Sequence, residues 1–338
     1  MQEVEKMSYC IEVNHLNRTF KVAEKSGSGF MSSIHSLFHR QYKHVEAVKD
    51  ISFTVEKGEI RGLIGPNGAG KSTTIKMLSG ILYPSSGEIN VLGHVPHLDR
   101  NAYVRKIGVV LGQKSQLVWD LPALDSFILN KQIYKIPDAI YEENLNYFTK
   151  LLDIEEIIKR PVRQLSLGER MKCELVSSML HNPELIFLDE PTIGIDILAK
   201  DAIINFIREV NEKRQVTFIL TTHDISDIET LCEKVTIINH GTIVYDDSLQ
   251  ELKRYFDKKR VIHLSFLHRL APEDLQNYKV LDFSGLQAQI EINLNGQDIS
   301  TVLKEVFNDL PIKDLTIDDI NVEEVIKELY RGNEVSAT

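Results

Sequence analysis

Apolar positions along the chain fall into two rhythms that take turns. Short apolar runs at residues 60–64, 107–111, 185–188 and 216–221 have the length of buried strands. Between them, apolar residues recur at helical spacing over residues 71–78, most of 121–182, 199–212 and 227–231. Residues 9–13, 51–55 and 87–92 add strands near the start, and residues 235–238 and 242–245 flank His240-Gly241 as the arms of a hairpin. Strands alternating with helices predict an α/β fold with a largely parallel core sheet.

The pattern changes after a helical run at residues 249–256 and a charged break at 257–260. Ile262, Leu264 and Phe266 alternate with polar neighbours, as do Leu286, Ala288, Ile290, Ile292 and Leu294. Val302, Leu303, Val306, Phe307 and Leu310 return to helical spacing, and so do Val322, Val325, Ile326 and Leu329. The order β-α-β-β-α-β plus a last helix predicts a small, ferredoxin-like α+β domain. We therefore expect a first domain over residues 1–256 and an accessory or regulatory domain over 257–338. The first is expected to hold an insertion at about 24–44 and a helical subdomain at about 114–182. In the insertion, Phe30, Met31, Ile34, Leu37 and Phe38 share one helical face. That face could lie on a membrane surface or partner, or pack on its own domain.

Composition narrows the setting. The 338 residues carry a net charge of −10, which argues against a nucleic-acid partner. No apolar run reaches the roughly 18–20 residues that span a bilayer, and residues 1–9 lack a secretory pattern. Cys10, Cys173 and Cys232 have no metal-ligand spacing and are expected to be small buried residues in a reducing compartment.

The chemistry concentrates at the strand ends. Gly65-Pro66-Asn67-Gly68-Ala69-Gly70-Lys71-Ser72-Thr73 matches the phosphate-loop pattern in full. Its glycines let successive backbone N–H groups turn toward phosphate oxygens, and the following helix aims its positive end there. Lys71 is expected to reach the β- and γ-phosphates, and Ser72 to ligate Mg²⁺. The run Ile186-Phe187-Leu188 ends in Asp189-Glu190. Asp189 would hold Mg²⁺ and Glu190 would polarise the attacking water.

Further motifs make a more specific match. Leu165-Ser166-Leu167-Gly168-Glu169 resembles the signature sequence of ABC ATPases and lies upstream of the acidic strand, as in that family. Gln113 is similar to the family's Q-loop glutamine, Ile195-Asp196 to its D-loop, and Thr221-Thr222-His223-Asp224 to its switch histidine. Phe20 stands where the family carries an aromatic that stacks on adenine, with a core position as the alternative. The resemblance spans about residues 13–248 and implies a P-loop ABC ATPase domain with a mixed sheet and a helical subdomain. It implies ATP and Mg²⁺ as cofactors, and roles for Gln113 toward Mg²⁺ and water and for His223 toward the γ-phosphate. Ser166 and the Gly168 N–H would meet ATP held by a second subunit, with Asp196 across the same interface. The resemblance also implies a dimer with a second ATPase subunit, as a homodimer or with a different one, a separate membrane-spanning partner, and a peripheral place at the cytoplasmic face of the membrane.

The chain departs from the family at Leu167 and Glu169, where Gly and Gln are usual, and it has no proline before Gln113. Glu169 adds negative charge beside a triphosphate, with Arg170 as the nearest cation in sequence. Residues 108–122 and 161–168 resemble ATP-binding subunits of ABC-2-type exporters. Leu117, Val118, Trp119 and Leu121 follow Gln113 and either line a docking groove for the membrane partner or belong to the core. The alternative function is a soluble ABC ATPase with a non-transport partner. Missing coiled-coil heptads disfavour the DNA-repair type, and a single cassette the ribosomal type. A module that does not hydrolyse ATP is disfavoured by intact Lys71, Asp189, Glu190 and His223.

Overall fold

The computed structural model describes residues 9–23, 42–112, 114–222, 224–256, 259–294, 298–318 and 326. Two compact units form within it, Met1–Asp246 and Asp247–Thr338. The helix Leu249–Phe256, expected in the first domain, groups with the second unit.

The first unit holds two sheets. Strands β1 (Tyr9–Ala23), β2 (Tyr42–Glu56) and β4 (Ser86–Val91) form an antiparallel sheet in the order β2-β1-β4. In β2, Ile51, Phe53 and Val55 are buried while Ser52 and Thr54 are exposed, the period of a strand with one wet face. Strands β3 (Ile60–Ile64), β5 (Ile107–Leu111), β6 (Leu185–Asp189), β7 (Thr217–Thr221), β8 (Lys234–Asn239) and β9 (Thr242–Ser248) form the second sheet in the order β5-β6-β7-β3-β8-β9. The pairings β5–β6, β6–β7, β3–β7 and β3–β8 are parallel. Leu185, Ile186, Phe187 and Leu188 have no exposure, because β6 sits mid-sheet with both faces covered.

The helix Lys71–Leu78 buries Ile75, Met77 and Leu78 in one cluster with Ile11, Val13, Phe53 and Val55 of the antiparallel sheet and Leu63, Phe187 and Ile219 of the parallel one. That joint core holds the phosphate loop, which enters this helix, between the two sheets. The expected helical subdomain comprises the helices Ala123–Tyr134, Asp138–Leu151 and Leu167–Met179, joined by two short 3₁₀ turns. Cys10, Cys173 and Cys232 are free and buried, and burial pushes the Cys10 and Cys173 thiols up to about 11 and about 12.

Two strands run longer than the sequence pattern indicates. β1 continues past Val13 because bulges near Val13, Leu16 and Arg18 interrupt the alternation while Leu16 stays buried. β2 starts at Tyr42, and residues 42–46 are exposed, so no apolar rhythm announces them.

In the second unit, β10 (Lys259–Phe266), β11 (Lys279–Phe283), β12 (Gln287–Asn293) and β13 (Ile312–Asp318) form an antiparallel sheet in the order β11-β12-β10-β13. Ile262 pairs with Ile290 and Leu264 with Ala288, and the helix Ile299–Asp309 adds Val302 and Val306 to their core. This is the ferredoxin-like strand order with one departure. The first crossover is the 3₁₀ turn Pro272–Leu275 rather than an α-helix, and it buries only Leu275. The amphipathic segment at 30–40 lies outside the described residues, as does the last expected helix apart from the buried Ile326.

Candidate active site

The parallel register brings four strand ends together. Leu111 pairs with Asp189, Asp189 with Thr221, and Thr221 with Leu63, one residue before the phosphate loop's own strand ends at Ile64. Crevices outside the carboxyl ends of such strands are where α/β sheets bind ligands. Here the cleft measures about 540 Å³ and is lined by residues including Asn67, Ser72, Lys76, Asp189 and Glu190.

The phosphate loop is shaped by Gly70. Its φ of +114° is a left-handed conformation, and a Cβ there would sit 2.5 Å from the carbonyl oxygen of Ala47 in β2. The following Lys71 is 5% exposed, and its Nζ donates to the carbonyls of Gly65 at 2.6 Å and Pro66 at 3.1 Å. Burial lowers its pKa, opposed by the charges of Glu190 and Asp189.

Ser72 Oγ donates to Asp189 Oδ1 at 3.0 Å, and Thr221 Oγ1 donates to the same oxygen at 2.7 Å. Thr221 belongs to the 221–224 motif, yet sequence reasoning assigned it no role; its place at the end of the neighbouring strand was the available signal. Thr221 also receives the Glu190 N–H on both its carbonyl and its hydroxyl, each at 3.1 Å. Glu190 itself has φ +56°, a left-handed backbone that only surrounding constraint maintains in a non-glycine residue. A hydroxyl and a carboxylate side by side make a hard oxygen donor pair, the set that Mg²⁺ prefers.

Phe20 pairs with Val45 across the β1–β2 ladder, and the Arg18 guanidinium covers its ring at 4.6 Å. A recess lined by Thr19, Lys43, His44, Val45, Glu46 and Lys49 opens beside it. β2 also connects to the phosphate loop, since Lys49 N donates to Gly241 O and Gly241 N to Ala69 O.

Ser166, Gly168 and Asp196 form a separate group and do not line the cleft. Ser166 caps the helix Leu167–Met179, and Asp196 caps the helix Ile197–Arg214 by accepting from Ala199 N at 2.9 Å. The two helix starts touch at Gly168, where a Cβ would lie 2.5 Å from the Ala199 Cβ. Glu169 completes a capping box with Ser166 and pairs with Arg160, so the compensating cation is Arg160 and not Arg170. Burial pushes the Glu169 carboxyl up, but the Ser166 backbone and the Arg160 guanidinium together hold it below its ordinary value.

Two buried carboxylates were not anticipated. Glu174 is 4% exposed and accepts from Ser115 Oγ and Gln116 N, tying the segment after β5 to the helix Leu167–Met179. Asp227 is 1% exposed and receives Thr192 Oγ1 at 2.6 Å and Lys200 Nζ at 2.7 Å. Neither carries a sequence signal, because both lie inside helices among unremarkable neighbours. Leu117 is core at 5% exposure, whereas Trp119 is 53% exposed and Val118 and Leu121 are exposed beside it. Gln113 and His223 lie outside the described residues.

Comparison with known proteins agrees with this arrangement. Residues 48–193 match the family described as "ABC transporter". The uncharacterized ABC transporter ATP-binding protein YxlF of Bacillus subtilis (strain 168) is 33% identical over 224 residues, covering 66% of this chain and 73% of that protein. The linearmycin resistance ATP-binding protein LnrL of the same organism is 33% identical over 205 residues, covering 61% of this chain and 65% of its own. A solved ATP-binding subunit of an ABC transporter superimposes with a TM-score of 0.60 at 27% identity, covering 73% of this chain and 93% of the other.

Proposed function

We propose a function from the premise that this chain belongs to the ABC transporter family of ATPases. It binds and hydrolyses ATP, and the energy drives a separate membrane-spanning subunit of an ABC-2-type exporter. The observation that carries this is the convergence of Lys71, Ser72, Asp189 and Glu190 at the strand ends, with Ser72 and Thr221 both donating to Asp189 Oδ1. An export role is supported by the resistance protein LnrL among the relatives. Among the described residues no helix is long and apolar enough to cross a membrane, so the crossing is assigned to the partner.

The residues divide the work as follows. The backbone of Gly65, Pro66, Asn67, Gly68, Ala69, Gly70 and Thr73 cradles the phosphates, and Lys71 neutralises the β- and γ-oxygens. Ser72, Asp189 and Gln113 would hold Mg²⁺, which would supply positive charge against the phosphate oxygens. Glu190 accepts a proton from the attacking water, and His223 donates to the γ-phosphate. Phe20 stacks on adenine through its ring face. Ser166 and Gly168 contact ATP bound by a second copy, and Asp196 lies at that same interface, so hydrolysis requires the homodimer. Exposed Val118, Trp119 and Leu121 receive the membrane subunit at the cytoplasmic face of the membrane. Residues 257–338 serve as an accessory domain that supports or regulates pairing.

Co-purification from native membranes, read by mass spectrometry, tests the assignment. A stoichiometric multi-span subunit is expected. Recovery with soluble partners only would replace transport by a soluble ATPase role.

A further inference from the structure

Glu169 occupies an awkward place for an acid. Its Oε2 accepts from Ser166 N at 2.8 Å, and its own N–H donates to Ser166 Oγ at 3.2 Å. The carboxylate therefore sits within the first turn of the helix Leu167–Met179, where the peptide dipole favours an anion. A nucleotide phosphate approaching Ser166 and Gly168 would meet that negative charge. Glutamine would complete the same capping box without it.

Arg160 answers this charge from outside the helix. It lies nine residues upstream, after the 3₁₀ turn Ile157–Lys159, and its Nη2 donates to Glu169 Oε1. The two carboxylate oxygens are thus divided, one to the cap and one to the guanidinium. Both side chains are partly exposed, at 44% for Arg160 and 28% for Glu169, so the pair remains within reach of an incoming ligand.

We propose that Arg160 is a positioning residue for ATP-driven pairing: it cancels the Glu169 charge so that Ser166 and Gly168 can donate to the γ-phosphate held by another copy. This rests on the trans-acting role given to Ser166 and Gly168 above. Arg160 also holds Glu169 Oε1 while the Ser166 N–H holds Oε2, which fixes the carboxylate in the cap.

The test uses the full-length chain with Glu190→Gln as parent, and reads dimer formation against Mg-ATP concentration by light scattering. In low salt, Arg160→Gln is expected to raise the ATP concentration for half-maximal pairing about tenfold, the scale of one uncompensated surface charge. The increase should shrink in high salt, as the Debye length falls to about 3 Å near 1 M. Glu169→Gln should pair at least as readily as the parent. The double variant Arg160→Gln/Glu169→Gln should return to within about twofold of it, since the charge to be cancelled is gone. Fluorescent-nucleotide binding to the separated chains should stay unchanged throughout. An Arg160→Gln variant that pairs like the parent overturns the inference, and so does a double variant that remains impaired. A parent that stays monomeric in Mg-ATP refutes the trans-acting reading itself, and the inference with it.

Discussion

Ser72 and Asp189, 117 residues apart in the chain, meet at 3.0 Å through a hydroxyl-to-carboxylate hydrogen bond. One comes from the phosphate loop's helix and the other from the end of β6, so the contact records how the parallel register assembles the site. An amide in place of the carboxylate could still accept from Ser72 and Thr221. Asp189→Asn should therefore fold normally while Mg²⁺-dependent ATP binding weakens by at least about tenfold. A Mg²⁺ titration of nucleotide binding, alongside thermal unfolding, measures both.

Glu190 has a carboxylate at the cleft and a backbone held by two bonds to Thr221. Glu190→Gln keeps the size and the backbone contacts but removes the base. ATP turnover should fall about 10²- to 10⁴-fold with Mg-ATP binding retained, trapping a dimer visible by gel filtration. Near-normal turnover would take the role of base away from Glu190.

Gly168 has no room for a side chain, because a Cβ would come within 2.5 Å of the Ala199 Cβ. Gly168→Ala should lower stability by about 1–3 kcal/mol through overpacking of two helix starts. Urea unfolding would show this in the absence of nucleotide. An unchanged midpoint would mean that the helices separate easily.

Trp119 is 53% exposed, with Val118 and Leu121 exposed beside it. Trp119→Ala should change the stability of the isolated chain by no more than about 0.5 kcal/mol. It should nevertheless reduce recovery of the membrane subunit in pull-downs. Unaltered assembly and ATPase activity would remove this patch as the docking surface.

Glu174 is buried, and desolvation raises its carboxyl above the ordinary 4.5 despite bonds from Ser115 and Gln116. A raised folded-state pKa contributes stability that is complete below the unfolded value and is lost as pH rises through the folded value. The wild type should therefore lose stability relative to Glu174→Gln as pH rises from 4.5 through that raised value. Urea unfolding of both proteins across that window checks the sign. A parallel pH dependence would show that Glu174 ionises alike in the folded and unfolded states.

The legible parts of this molecule are those written in contiguous residues. The β3 run ends at a glycine and passes straight into the helix Lys71–Leu78, so strand, loop and helix could be placed to the residue. β6 could be read the same way, since four apolar residues with no exposure run into Asp189. The long hairpin of β1 and β2 could not, because bulges break its alternation and its outer half buries little. Arg170 stands next to Glu169 in sequence, but helix geometry sends adjacent side chains in different directions, and the partner is Arg160.

The sequence by itself determined the nucleotide chemistry, since phosphate-binding loops and acid-tipped strands are local patterns whose geometry follows from their own glycines and apolar runs. Only the tertiary structure decided which groups share an atom. Ser72 and Thr221 converge on one oxygen of Asp189, Glu174 reaches back to Ser115, and Arg160 neutralises Glu169. These contacts depend on sheet register and helix packing, which bring together side chains from separate elements and which no local pattern encodes.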